Sequence, residues 1–222
     1  MASLDQQMRL RREAILEAAR NLIETRGYGG LTMRNLAVES AVTVPTIYNL
    51  IGNKEAVLFA AVKEQTRNFV SNLERAESDL ITVVEATVRQ LLRRPSYYRA
   101  LLLVLANTDD ADDARRHVGG VIARQIKSSL QVIASEGELA DWVDVGTLSQ
   151  RLHAHIDMAS IEWARGSLTA SSFRAAALFD VGTTMLGVTT GASRETFEGI
   201  IREHQANAIQ RRPRIREGGQ AA

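Results

Sequence analysis

Apolar residues recur at the three- and four-residue spacing of α-helices along most of the chain. Beyond Ser78 no stretch alternates between apolar and polar residues as a half-buried β-strand would. The pattern therefore predicts an all-α fold. The predicted helices span residues 8–26, 33–39, 44–50, 54–77, 78–94, 96–106, 107–136, 147–165, 169–188 and 193–210.

The most informative stretch contains two short helical segments separated by a break at residues 40–42. Thr32 and Thr43 are suitable N-caps, because a threonine hydroxyl accepts a hydrogen bond from a free N–H in the first turn of a helix. Pro45 falls in the first turn of the second segment, where its missing N–H has no carbonyl to bond. The stretch is therefore predicted to form a helix-turn-helix, with its second helix at Val44–Leu50.

A helix-turn-helix places its second helix in the major groove of DNA, with the first residues of that helix at the base edges. We therefore expect Thr43, Val44 and Thr46 to lie near bases, where methyl groups can contact a thymine methyl. Phosphate contacts are expected from polar residues around this helix, namely Thr32, Arg34, Tyr48, Asn49 and Lys54. The alternative is a helical hairpin packed into a core, but the outward hydroxyl groups, in place of the usual Glu and Lys, favour DNA.

Several positions of this stretch match a known family in register. They are Gly27…Leu31-Thr32-Met33-Arg34-x-Leu36-Ala37…Val42-Thr43-x-Pro45-Thr46-Ile47-Tyr48…Asn53-Lys54-Glu55-x-x-Leu58. The motif resembles the DNA-binding domain of the TetR family of transcriptional regulators. Ala41 departs from it, because the family usually has glycine at this turn, and alanine in a left-handed conformation is mildly strained. Leu50 replaces a usual His or Tyr and removes one expected phosphate contact, and Ile51 replaces a usual Phe.

The resemblance implies a domain organisation. It assigns a helix-turn-helix DNA-binding domain to residues 1–54 with a connecting helix at 54–77, and a helical ligand-binding and dimerisation domain to residues 78–210. Helices 147–165 and 169–188 resemble the dimerisation pair of the family. The implied function is that of a homodimeric regulator, most often a repressor, which binds an inverted-repeat operator and responds to a small-molecule effector through the connecting helix. The basic tail 211–222 is expected to be disordered.

Composition limits the other possibilities. The chain has 222 residues, 45% of them hydrophobic and 24% charged, and no cysteine. The absence of cysteine excludes disulfides and thiolate metal sites and suits the cytoplasm. No apolar run approaches the roughly 18–20 residues that cross a bilayer, and the first residues do not form a signal peptide. The net charge is only +1, so attraction to DNA must be local, for example at Arg9, Arg11 and Arg12, which equally suit a solvated helix face.

No constellation of catalytic residues emerges, and we expect neither enzymatic activity nor a cofactor. The histidines lack the spacing of metal ligands on one helix face, and the chain has no phosphate-binding glycine loop and no nucleophile elbow. The acidic cluster Asp109, Asp110, Asp112 and Asp113 lacks the glycine and distal glutamate of a calcium loop. We expect no metal site.

An effector site is expected among the helices of the second domain. His153 and Asp157 lie one turn apart and can form a pair that faces a cavity, or each can face solvent or bond a neighbouring backbone group. The proposed ligand-binding residues are Leu101, Leu105, Ile122, Gln125, His153 and Asp157. The Leu-, Val- and Ala-rich surroundings favour an apolar or amphipathic effector. The alternative function from a different class is a helical protein–protein interaction or scaffold module that does not bind DNA.

Overall fold

Ten α-helices and no β-strand make up the described part of the chain, which in this computed structural model comprises residues 4–75, 79–107 and 112–208. The all-α prediction is confirmed. The helices are α1 (Leu4–Gly30), α2 (Met33–Glu39), α3 (Val44–Leu50), α4 (Lys54–Arg75), α5 (Leu80–Leu92), α6 (Pro95–Asn107), α7 (Asp112–Ser135), α8 (Val145–Ala164), α9 (Ala170–Leu186) and α10 (Gly191–His204). Asp109, Asp110 and the tail 211–222 lie outside the described residues.

The first helix differs from its prediction at both ends. It begins at Leu4 rather than Met8, because the polar residues before Met8 are compatible with a solvated extension of the helix. Gly27 ends the regular helix as expected, with φ of 63°. Residues 28–30, predicted to be a loop, instead form a further helical turn.

The sequence locates most helix starts because polar side chains cap them. At six N-termini the cap side chain accepts a hydrogen bond from the backbone N–H three residues later, over 2.7–3.4 Å. These caps are Thr32, Thr43, Asn53, Asp79, Asp144 and Thr169.

A single hydrophobic core runs from the first helices into the C-terminal bundle. Ile15, Leu22 and Ile23 of α1 are buried and belong to the same cluster as Ile47 of α3 and Leu101 of α6. Helix α1 packs against α2, α3, α4 and α6. The helix-turn-helix is therefore attached to the bundle through α1 as well as through the connecting helix α4.

Small residues on α9 allow its neighbours to approach closely. Ala175, Ala176, Ala177 and Gly182 are all buried within the protomer. A Cβ added at Gly182 would lie 3.2 Å from the Cγ1 atom of Ile201 on α10. Helix α10 of the same chain thus covers part of the small-residue surface of α9.

The start of α10 is capped from a distant part of the chain. Thr190 stands at the N-cap position but makes no side-chain capping hydrogen bond. Instead, the Glu138 carboxylate accepts hydrogen bonds from the N–H groups of Ala192 and Ser193, at 3.0 and 2.7 Å. A side-chain hydrogen bond from Ser193, together with these backbone hydrogen bonds, holds the pKa of Glu138 below its ordinary value. The carboxylate therefore joins the turn after α7 to the beginning of α10.

Replacing Glu138 by Gln is expected to lower the thermal stability at neutral pH, because the amide is a weaker acceptor than the carboxylate. Since the pKa of Glu138 is lower in the folded state, its contribution is present above the pKa of the unfolded chain and disappears as the pH falls through the folded pKa. The difference in Tm between wild type and Glu138→Gln should therefore shrink below about pH 4. Thermal unfolding of both proteins, followed by circular dichroism at pH 3 to 7, measures this Tm difference. Glu136→Gln, at an exposed residue nearby, is the matched control and should leave Tm unchanged.

Candidate nucleic-acid interface and effector region

The turn between α2 and α3 has the geometry of a Schellman motif. The N–H of Val42 donates to the carbonyl of Ala37 over 3.1 Å, and that of Ala41 donates to Val38 over 3.3 Å. Ala41 has φ of 52°, the left-handed conformation expected from the position of the turn glycine in the family motif. Helix α2 thus ends at a conformation that costs a non-glycine residue about 1 kcal/mol.

Helix α3 buries one side and exposes the other. Ile47 is completely buried, and Val44 is partly buried against the same core. Tyr48 leaves 53% of its surface exposed, and Asn49 is also exposed. The helix therefore presents a polar surface to its surroundings while Ile47 fixes its orientation.

The two threonines at the start of α3 bond each other. Their Oγ1 atoms, on Thr43 and Thr46, lie 2.8 Å apart, and the Thr43 hydroxyl also accepts from the Thr46 N–H. Thr32 and Arg34 are exposed at the start of α2, where the Thr32 hydroxyl accepts a hydrogen bond from the Asn35 N–H. Thr32 and Thr43 are therefore helix caps as well as candidate DNA contacts.

Lys54 forms contacts within the protein. Its Nζ atom donates to the carbonyl oxygen of Tyr28 over 3.1 Å and lies 3.6 Å from the centre of the Tyr28 ring. This contact joins the first residue of α4 to the turn at the end of α1. A contact of Lys54 with DNA phosphate stays a prediction, and the structure adds a positioning role that the sequence pattern did not indicate.

Arg12 also acts within the domain. Its Nη1 atom donates to the carbonyl oxygen of Leu50 at the end of α3, over 3.3 Å. The donor comes from α1, so it connects the last turn of α3 to the helix that supports it. The sequence suggested Arg12 only as part of a general positive charge, because a contact across 38 residues leaves no local pattern.

Two ion pairs join α1 to the rest of the chain. Arg94, just before α6, donates from Nη2 to Glu24 Oε2 over 2.7 Å. Arg20 Nη1 donates to Glu64 Oε2 of α4 over 3.3 Å. Between them Tyr97 is completely buried, and desolvation raises the pKa of its hydroxyl. Any displacement of α4 or α6 would therefore strain contacts made by α1.

The six predicted effector residues lie on three helices that pack together, α6, α7 and α8. Leu101, Leu105 and Ile122 are buried and Gln125 is partly buried. The Asp157 side chain is 54% exposed, so its carboxylate lies at the surface, which agrees with the solvent-facing alternative of the two that the sequence left open. Its position one turn after His153 places it on the same side of α8 as His153.

His153 has the environment of a candidate ligand-binding group. Its Nδ1 atom lies 3.4 Å from Asp157 Oδ2, and its Nε2 atom is buried and has no hydrogen-bond partner among the residues that the structure describes. The ring lies against Gly119 of α7, where an added Cβ would be 2.9 Å from Cε1. Buried polar atoms are normally hydrogen-bonded, so the unpaired Nε2 keeps His153 a candidate for the ligand contact that the sequence predicts.

Within the described ranges, no group of three His, Asp or Glu side chains is arranged to hold a metal ion. In the same part of the chain, none of the helices combines the length and hydropathy that crossing a bilayer requires.

Residues 15–61 match the family model described as bacterial regulatory proteins, TetR family. The fold is also similar to that of SmeT, the repressor of the Stenotrophomonas maltophilia multidrug efflux pump SmeDEF, with a TM-score of 0.65. The two sequences are 17% identical, and the match covers 82% of this chain and 92% of SmeT. The chain has the fold of the TetR family of transcriptional regulators. The resemblance predicted from the sequence is confirmed.

Two further structures share the TetR-family fold. A gamma-butyrolactone receptor, described as ArpA-like, has a TM-score of 0.60 and 16% identity, with 90% of this chain and 98% of the receptor covered. A complex of SmeT with triclosan has a TM-score of 0.61 and 18% identity, with 82% and 93% covered. Comparison with proteins of curated function gives no significant match.

The TetR-family match bears on the class of the protein. Members of the family are DNA-binding regulators and not enzymes, which agrees with the interpretation from the sequence. The match does not favour the alternative of an interaction module without DNA binding.

Replacing Lys54 by Met should lower the free energy of unfolding by about 1 kcal/mol, because the change removes one hydrogen bond and one cation–π contact with Tyr28. The methionine keeps most of the aliphatic stem, so loss of packing is small. Urea unfolding measures the change. Lys127→Met, at an exposed lysine of α7, is the control and should alter stability by less than about 0.5 kcal/mol. Equal stability of Lys54→Met and wild type would show that the Tyr28 contact does not stabilise the domain.

Proposed function

We propose that the protein is a ligand-responsive transcriptional repressor. In this proposal it binds an inverted-repeat operator as a homodimer and leaves the operator when a small apolar or amphipathic molecule binds to its C-terminal bundle. The observation that carries the proposal is the polar, exposed face of α3, whose orientation is fixed by the buried side chain of Ile47. This helix lies within residues 15–61, which match the TetR family model.

The DNA contacts of the proposal divide into two groups. Thr43, Val44 and Thr46 begin α3 and contact base edges in the major groove. The exposed or half-exposed polar residues around them contact phosphates, and these are Thr32, Arg34, Tyr48, Asn49 and Lys54. The DNA-binding domain comprises residues 1–54, and α4 connects it to the domain of residues 78–210.

Dimerisation is assigned to the helices around residues 147–188. The small residues of α9 are covered partly by α10 in the same protomer, so the outward surfaces of α8 and α9 are the ones left for a second copy. Met158 on α8 leaves 60% of its surface exposed, which supports this choice. Two copies related by a two-fold axis read two half-sites about 34–36 Å apart, or a multiple of that distance.

The effector-binding site is assigned to the region where α6, α7 and α8 meet. The buried Leu101, Leu105 and Ile122 supply apolar surface, while the unpaired His153 Nε2 supplies one polar contact. The SmeT–triclosan complex supports an apolar molecule with a polar group as the chemical class. An effector that binds the DNA-free state more tightly releases the operator, and such coupling is typically about 1–3 kcal/mol.

Selection from a pool of random DNA duplexes tests the proposed function. The full chain is bound to the pool at moderate salt, and the retained duplexes are sequenced over several rounds. We expect enrichment of an inverted repeat whose half-sites are related by two-fold symmetry, because a dimer presents two equivalent α3 helices. A variant with Thr43, Thr46 and Tyr48 all replaced by Ala is the matched control and should enrich no sequence. Salt-sensitive binding by wild type without any enriched sequence would contradict the proposal.

Replacing His153 by Phe tests the effector site. Compounds are first screened for release of wild-type protein from the enriched operator, with triclosan included in the screen. For a compound found in this way, we expect His153→Phe to weaken binding about tenfold, because the phenyl ring cannot form the Nε2 hydrogen bond. Asp157→Asn, which alters the exposed partner of His153, should change the affinity less than His153→Phe does. Unchanged affinity in His153→Phe, measured by titration calorimetry, would exclude His153 as a ligand-binding residue.

A further inference from the structure

A cleft of about 460 Å³ lies between α1, α4 and α7. Its volume is within the range of small-molecule sites. It is separate from the effector region at α6, α7 and α8, because its walls come from the outer faces of α1 and α4 and from His117 of α7. The proposed function does not involve this cleft.

Cationic side chains line two facing walls of the cleft. Arg9 and Arg12 lie three residues apart on α1, and Lys63 and Arg67 lie four residues apart on α4. Both spacings place the members of a pair on the same helix face. The two helices therefore direct four permanent positive charges into one space.

These charges are only partly neutralised. Arg9, Lys63 and Arg67 form no salt bridge with the residues that the structure describes, whereas Arg12 donates to the Leu50 carbonyl. Glu64 lines the cleft but already accepts a hydrogen bond from Arg20. Glu13 is the other carboxylate among the described lining residues, so the cleft has two carboxylates and four cationic side chains.

His117 of α7 borders the positive region of the cleft. Its ring packs edge-on against Phe59, with the ring centres 5.7 Å apart. Desolvation lowers the pKa of His117, and the nearby positive charges of Lys63 and Arg124 lower it further. Lys63 and Arg124 therefore lie close enough to His117 to disfavour its protonation.

The cleft also has an apolar floor. Leu16 of α1 is buried and Ala60 of α4 is partly buried, and both line the cleft. A purely inorganic ion would leave this surface uncovered, whereas an organic anion would contact both the floor and the cations.

We propose that this cleft is a second ligand site, for a small organic molecule carrying more than one phosphate group. Arginine and lysine on the two walls bind the phosphate oxygens, and the organic part lies on Leu16 and Ala60. A concave site with cations on both walls suits a compact polyanion better than a DNA backbone, which needs a surface along which to extend. Because the ligand bridges α1 and α4, its binding restrains the two helices that support α3.

Titration calorimetry of the full chain without DNA or divalent cations tests the site. The probes are ATP and inorganic pyrophosphate, with adenosine as the uncharged comparison. We expect ATP to bind more tightly than pyrophosphate, adenosine not to bind, and the affinity for both anions to fall as salt is raised. The test contains no operator, so its outcome is independent of the proposed repressor function.

The double variant Lys63→Gln, Arg67→Gln removes the two cations of α4 and keeps the helix-forming tendency. We expect it to weaken ATP binding at least about tenfold. The control Lys127→Gln, Arg151→Gln makes the same change in net charge at exposed residues of α7 and α8 outside the cleft, and should bind ATP like wild type. Equal losses in both double variants would indicate nonspecific attraction and overturn the proposal.

A further outcome would assign the cleft to another ligand. If wild type does not bind ATP or pyrophosphate, while Lys63→Gln, Arg67→Gln reduces binding to a short DNA duplex, the cations belong to a DNA-backbone surface. That result would also overturn the proposal of a small-molecule site.

Discussion

The burial of the apolar stripe of α1 is the interaction on which the other features depend. Ile15, Ala19 and Ile23 are completely buried at the place where α1 meets the helix-turn-helix, α4 and α6. Burying side chains of this size stabilises a fold by roughly 1.5–3 kcal/mol for each large aliphatic residue. Without this stripe, α2 and α3 are too short to form a core of their own.

The same helix provides the polar contacts that orient its neighbours. Arg12 holds the end of α3, Arg20 pairs with α4, and Glu24 pairs with Arg94 before α6. Contacts at residues 12, 20 and 24 of one helix relate the positions of three other helices to each other. A displacement of the bundle would therefore be transmitted to α3 through α1 as well as through α4.

Local signals explain what could be predicted from the sequence, and distance along the chain explains what could not. The bounds of α3 were correct because Thr43 caps the helix and Pro45 fits only its first turn. The strained turn at Ala41 was also predicted, since the family motif indicates a glycine there. In contrast, the contacts of Lys54 with Tyr28 and of Arg12 with Leu50 join residues that are 26 and 38 positions apart. Such pairs depend on how helices pack, and no periodicity of a single helix contains that information.

The capping of α10 by Glu138 has a consequence for the order of folding. Because Thr190 provides no side-chain cap, the first turn of α10 acquires its acceptor only when the turn after α7, which lies 54 residues earlier, has reached its final position. A contact of this sequence separation requires closure of a long loop, and that closure costs entropy that a local cap would not. Helix α10 is therefore expected to acquire its cap only when the bundle is assembled, and an isolated C-terminal fragment should fray at Gly191.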